Sequence, residues 1–206
     1  MGYVGNSGTS NPFLIAGCGV LQDEVHWLVE KNNWMVEEVY LQSSCDITLD
    51  LLEKKLKNMI QKNIDRRPLL LYGECHPRMN GILDKFHCIR IPGNNCIEFL
   101  LGHDIYNREL EAGAYFLTKG WLNGIMTHLH RVFGRNREVI REIYHACHKY
   151  LLCINTPCSL VEPDYAAEVA EYLDLPLHWH DTDLENLEKL IQMAILSAGD
   201  SGEHRE

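Results

Sequence analysis

An α/β fold with a mostly parallel sheet flanked by helices is predicted by three features of this 206-residue chain. Short apolar runs alternate with stretches of helical periodicity, the pattern of successive βαβ units. The run Leu69–Tyr72 is continuously apolar, as in a parallel strand covered on both faces. A strand, a glycine, a cysteine and then a helix recur near Cys18 and Cys75, with a looser version ending at Cys158.

The elements follow in order. Phe13–Ala16 is the first strand, ending in Gly17-Cys18-Gly19; a helix carrying Leu21, Val25, Leu28 and Val29 follows, with Asp23 and Glu24 in its first turn. Trp34–Leu41 reads as a second strand. Asp46 is placed to cap a helix bearing Leu49, Leu52, Leu56, Met59 and Ile60, which Arg66-Arg67-Pro68 breaks. Leu69–Tyr72 is the third strand, Met79–Phe86 a short helix, and His87–Ile91 a fourth strand stopped by Pro92-Gly93. Asn94 or Asn95 caps a helix carrying Ile97, Leu100, Leu101 and Ile105. Ala114–Leu117 is the fifth strand. The segment around 121–150 is helical in two pieces broken near Gly134. Tyr150–Ile154 is a strand, Asp164 caps a helix reaching Tyr172, Leu175–Trp179 is a last short strand, and Leu184–Leu196 is a closing helix.

With 46% apolar and 23% charged residues, the chain has ordinary globular composition. The expected organisation is one domain over 13–196, a disordered leader over 1–12 and a flexible tail over 197–206. A formal net charge of −10 argues against nucleic acid as a partner, because binding there rests on Lys and Arg neutralising phosphates. The one basic run, Arg131–Arg141, is interleaved with apolar residues at helical spacing and reads as a solvated helix face. No apolar stretch is long enough to span a bilayer, and the N-terminus lacks the features of a secretory signal. Gly2 fails as a myristoylation site because Asn6 stands where Ser or Thr is required. A cytoplasmic protein without membrane contact is expected.

Eight cysteines in such a chain point away from a disulfide framework and toward buried thiols, metal ligands or redox chemistry. Cys88, Cys147 and Cys153 lie among patterned apolar neighbours and read as inert core thiols. Cys18, Cys75 and Cys96 stand apart, because each falls where a strand runs into a loop or helix start, the place where α/β sheets build sites. Three thiolates suit a soft metal or an iron–sulfur cluster, and leave one coordination position open. The plain alternative is three separate small side chains, and no C-x-x-C pair strengthens the metal reading. The glycines at 17, 19, 73 and 93 remove bulk where a cofactor could approach the backbone.

Glu24 and His76 are the candidate proton-handling residues, with Glu74 and His103 as further possibilities. Each has an ordinary reading as well: a carboxylate complementing a helix dipole, or a surface histidine. His145 and His148 share a helix face below His128 and His130, and read as helix surface rather than a zinc site. His178 and His180 alternate as on a strand. Glycine-rich nucleotide loops and the Gly-x-Ser-x-Gly motif are absent.

Four segments in order carry a family resemblance: Ile15-Ala-Gly-Cys-Gly-Val-Leu with Glu24, Leu71-Tyr-Gly-Glu-Cys-His-Pro, Pro92-Gly-Asn-Asn-Cys-Ile-Glu-Phe-Leu-Leu-Gly102, and Ala114-Tyr-Phe-Leu-Thr-Lys-Gly-Trp121. From Phe13 to Leu196 the chain resembles an uncharacterised prokaryotic domain-of-unknown-function family often encoded beside corrinoid-dependent methyltransferases. The resemblance implies that Cys18, Cys75 and Cys96 are characteristic cysteines, surrounded by Glu24, Tyr72, Gly73, Gly102, Tyr106 and Trp121. Gly73, Asn95, Gly102 and Trp121 are thus the candidate cofactor-binding residues. It also implies an anaerobic cytoplasm and one-carbon or methyl metabolism. Some relatives carry a basic and an acidic residue where this chain has Asn94-Asn95. The cysteine layout is similar in arrangement to quinolinate synthase and the diphthamide-forming radical enzymes. The expectation is a metalloprotein holding a 4Fe-4S cluster or zinc. Its alternatives are a non-catalytic accessory protein that binds or matures a corrinoid protein or methyltransferase, and a purely structural domain with inert thiols.

Overall fold

The computed structural model describes residues 13–42, 48–66, 68–86 and 88–200. Among them the fold is α/β, as the sequence predicts, but its strands form two parallel sheets rather than one. The first sheet holds β1 (Phe13–Cys18), β2 (Val36–Leu41), β3 (Leu69–Leu71) and β4 (Ile89–Arg90), in the order β2-β1-β3-β4. The second holds β5 (Ala114–Leu117), β6 (Tyr150–Asn155) and β7 (Leu177–Asp181), in that order.

Side chains of β1 and β3 alternate between two cores, as the period-2 pleat requires. Ile15, Leu69 and Leu71 face one; Ala16 and Leu70 face the other, against α2 (Leu49–Lys62) and α3 (Met79–Phe86). The first core also takes α1 (Gln22–Asn32), α4 (Cys96–Leu101), Ile154 of β6 and Phe116 of β5. The closing helix α10 (Glu185–Asp200) supplies Leu187, Ile191 and Ala194 to it. This apolar layer therefore joins the two sheets, while the far face of the second sheet packs on α7 (Ile125–Phe133), α8 (Arg137–Cys147) and α9 (Pro163–Leu173).

Several boundaries differ from expectation for local reasons. The helix expected to run through Ile105 breaks at Gly102, whose φ of 75° turns the chain between α4 and α5 (His103–Ala112). The 121–150 region is three helices, not two, because α6 (Lys119–Leu122) stops at Asn123-Gly124 before α7. Pro163 opens α9, so Asp164 lies in its first turn instead of capping it. Cys147 is exposed rather than core, whereas Cys153 is buried and Cys88 half-buried. Asp46 and His87 lie outside the described residues, as do the leader and most of the tail.

The basic run is more than a solvated face. Arg137 and Arg141, one turn apart on α8, both donate to the carbonyl oxygens of Glu171 and Tyr172 at 2.7–3.1 Å. His145, a further turn along, reaches the Leu173 and Asp174 carbonyls at 3.0 and 2.9 Å. These side chains satisfy the last carbonyls of α9, where the helix dipole favours the two guanidinium charges. Because two guanidinium groups share the same acceptors, Arg137→Ala or Arg141→Ala alone should cost about 0.5–1 kcal/mol, and the pair together about 2–3 kcal/mol. Urea unfolding of the double-mutant cycle checks this, and strictly additive losses would count against it.

Candidate functional site

In the first sheet the chain leaves β1 toward β2 on one side and returns with β3 on the other. The point between the C-terminal ends of β1 and β3 is thus a topological switch point, where open α/β sheets form their crevices. Gly17 pairs with Leu71 in the register, so Cys18 and Tyr72-Gly73 leave the sheet side by side. Cys18 ends β1, Cys75 follows on the loop after β3, and Cys96 opens α4 just beyond β4. Parallel strand order therefore brings all three predicted thiols to one edge, each half-buried. Among the described residues, no group of three or more His, Cys, Asp or Glu side chains lies close enough to hold a metal ion.

The loops carrying Cys75 and Cys96 are fastened to each other. The Glu74 amide donates to the Asn94 carbonyl at 2.6 Å. Arg90 bridges the same loops, donating through Nε to the Tyr72 carbonyl at 3.1 Å and through Nη2 to the Gly93 carbonyl at 3.0 Å. A Cβ at Gly73 would stand 2.2 Å from the Asn94 oxygen, so glycine here serves the approach of one backbone to another. Asn95 caps α4, its Oδ1 accepting from the Ile97 and Glu98 amides at 3.0 and 2.9 Å. Glu98 completes the fastening: Oε2 accepts from the Asn94 amide at 2.8 Å and Oε1 meets His103 Nδ1 at 2.9 Å. Burial pushes the Glu98 carboxyl upward, but its bonds to His103 and Asn94 together outweigh that and hold it below the usual carboxylate range.

His76 is buried, with both ring nitrogens engaged. Nδ1 accepts from the Arg78 amide at 3.0 Å and Nε2 lies 3.6 Å from Glu53 Oε2. Its geometry shapes the loop after Cys75. Gly102 and Asn95 likewise have local duties in turning and capping, and Asn186 secures that turn by donating to the Glu98 and Phe99 carbonyls.

Glu24 occupies a different setting. It is 3% exposed on α1, and its Oε1 accepts at 3.2 Å from Thr156 Oγ1 in the turn just after β6, while Oε2 has no hydrogen-bond partner. Burial raises its carboxyl above the ordinary range, against the lowering effect of bonds from Thr156 and Ser159. Cys158 lies in the same turn, its Sγ 3.5 Å from Thr156 Oγ1 and 3.6 Å from the Asp23 carbonyl. Burial first, then the neighbouring carboxylates, push the Cys158 thiol up. Gly120 presses α6 onto the turn after Cys18, with room for no Cβ beside the Val20 carbonyl at 2.8 Å. Lys119 pairs with Asp23 at 2.8 Å, and half-buried Trp121 packs on the same apolar layer as Cys18, Cys96 and Cys158.

Sequence reasoning did not single out Arg90 and Thr156 for this region, and marked Cys158 only as the end of a looser strand–cysteine pattern. Arg90 carried a usable signal, a lone cation inside the apolar strand Ile89-Arg90-Ile91. Thr156 carried none, since its partner Glu24 is 132 positions away.

Fold and site together define a two-sheet parallel α/β protein with Cys18, Cys75 and Cys96 along one edge of the first sheet and Cys158 beside the buried acid Glu24. Residues 40–191 match the family described as Protein of unknown function (DUF1638), well over half of the chain, and the chain belongs to that family. The matched range contains Cys75, Cys96, Thr156 and Cys158 but stops short of Cys18 and Glu24. No curated protein and no solved structure shows significant similarity. No helix among the described residues is long and apolar enough to cross a membrane.

Proposed function

We propose that the C-terminal edge of the first sheet is a thiolate site for a soft metal, an iron–sulfur cluster or zinc, held by Cys18, Cys75 and Cys96 in a protein of anaerobic one-carbon or methyl metabolism. One observation carries this reading: the switch point between β1 and β3 delivers Cys18 and the Cys75 loop together, with the Cys96 loop bolted to the latter. The donor set fits a soft metal chemically, since sulfur is its preferred ligand. The three side chains are not gathered around one point, so binding would draw them inward on otherwise fixed loops.

When bound, such a centre supplies Lewis-acid, thiolate-methyl or electron-transfer chemistry. In this reading Glu24 holds and delivers a proton, a role supported by its burial and by an Oε2 without a hydrogen-bond partner. His76, with both nitrogens in use, acts by positioning the Cys75 loop. A corrinoid protein or methyltransferase is the partner that the methyl-metabolism reading implies.

Elemental analysis and an absorption spectrum of protein purified without oxygen test the proposal. Cys18→Ala, Cys75→Ala and Cys96→Ala should each lose the metal, while Cys88→Ala and Cys153→Ala should keep it. Equal retention in all five variants, or metal-free wild-type protein, would overturn the thiolate site; the second result would favour the accessory role.

A further inference from the structure

β2 is an edge strand of the first sheet, so among the described residues no further strand continues the sheet beyond it. Its residues alternate, and Glu37, Val39 and Leu41 share the face turned toward α2. Two neighbouring rows of α2 meet that face: Lys55, Met59 and Asn63 at successive steps of four, and Asn58 with Lys62 beside them. Between strand edge and helix lies a groove of about 280 Å³. Its floor is Val39, Leu41 and Met59, which also pack into the core under α2. Its rim is the two lysines and the two asparagines.

The rim is cationic because the carboxylates of these elements are engaged elsewhere or stand outside it. Glu37, one step before Val39 on the same face, pairs with Arg66 at 2.6 Å. Glu38 lies on the opposite face, where Tyr40 and His26 bond to it. Glu53 holds Lys57 and Arg78. Neither these nor Asp50 and Asp65 line the groove. Lys62 has no ion pair among the described residues. In a chain of net charge −10, an apolar concavity whose only rim charges are lysines selects by sign. Two other grooves differ: the one beside His76 carries Glu74, and the one along α10 carries Glu185 and Glu188 without an apolar floor.

We propose that the groove between β2 and α2 binds a small monoanion with an apolar body, an aliphatic or aromatic carboxylate of roughly ten non-hydrogen atoms. The body lies on Val39, Leu41 and Met59, and the carboxylate meets the lysine rim. An apolar floor with a few placed polar groups is the usual build of a small-molecule site, and a volume near the lower end of the usual range sets the ligand's size. The groove shares no residue with the thiolate edge, so this inference goes beyond that reading and stands whatever the edge holds.

The test uses the whole chain labelled with ¹³C-methyl methionine, the Met59 resonance being identified by its absence in Met59→Leu. Octanoate, octanol, octylammonium and butyrate are titrated in turn. Octanoate should move the Met59 resonance saturably below ~5 mM, with octanol and butyrate at least ~5-fold weaker and octylammonium at least ~10-fold weaker. Met193, exposed on α10, reports non-specific contact and should stay in place. Lys62→Gln should weaken octanoate ~3-fold and Lys55→Gln/Lys62→Gln ~10-fold, leaving octanol unchanged in both. A silent Met59 resonance, or one that drifts linearly in step with Met193, would show that the groove takes no ligand. Octanol or octylammonium binding as tightly as octanoate, or octanoate binding the double variant as it binds wild type, would show that the lysines do not select. Butyrate binding as tightly as octanoate would show that the floor does not. Each of these results overturns the proposal.

Discussion

Replacing Gly73 with alanine should destabilise the protein by about 3 kcal/mol and separate the loops that carry Cys75 and Cys96. The added Cβ would meet Asn94 O at 2.2 Å, Asn94 C at 2.5 Å and Asn95 Cα at 2.6 Å. All three are backbone atoms, so no rotamer change relieves the overlap; one loop has to retreat. Retreat breaks the hydrogen bond from the Glu74 amide to Asn94 and strains the Arg90 bridge from Tyr72 to Gly93. Gly81, inside α3 with nothing within 4 Å of its built Cβ, is the internal control. Gly81→Ala should stabilise by about 0.5–1 kcal/mol, since alanine loses less backbone entropy in a helix. Urea denaturation measures both changes, and thiol alkylation mapped to Cys75 and Cys96 reports the loop separation. A Gly73→Ala protein as stable as wild type, with unchanged alkylation, would mean that the loops are not in contact in solution.

The same contrast shows what the sequence could convey. Helix α3 was legible to the residue and β3 nearly so, because apolar periodicity and flanking Pro and Gly act over a few positions. A cap at Asn94 or Asn95 was legible for the same reason, and Asn95 fills it. The division into two sheets was not, because strand order is decided by pairings between distant segments, and a three-residue strand such as β3 gives no hint of its neighbours. Of the candidate site, the edge position of Cys18, Cys75 and Cys96 followed from strand ends alone. The fastening by Arg90 and Glu98, and the meeting of Glu24 with Thr156, depend on tertiary approach. Gly73 was read as space for a cofactor and proves to be space for Asn94; a glycine in sequence records that bulk is excluded, without saying by what.

Glu24→Gln should stabilise the protein by an amount that grows with pH, reaching about 1–3 kcal/mol on the alkaline side. In the unfolded chain this carboxyl releases its proton near 4.5, whereas in the fold burial holds the proton to higher pH. Between those two values the native state binds more protons than the unfolded state, so wild-type stability falls as pH rises, and the full cost is reached above the folded value. Glutamine cannot ionise, and its stability should not follow that slope; near pH 4 the two proteins should differ by less than ~0.5 kcal/mol. Glu98 has the opposite sign. Its folded value is lowered, so its contribution is present above its unfolded value and lost on acidification, and Glu98→Gln should cost most at neutral pH. Urea unfolding of both variants across pH 4–9 resolves the two slopes, and a Glu24→Gln difference that stays flat over that range would remove the case for a neutral buried acid. Glu98 strengthens the fold by being ionised, with donors on both oxygens; Glu24 weakens it once ionised, with one oxygen bare.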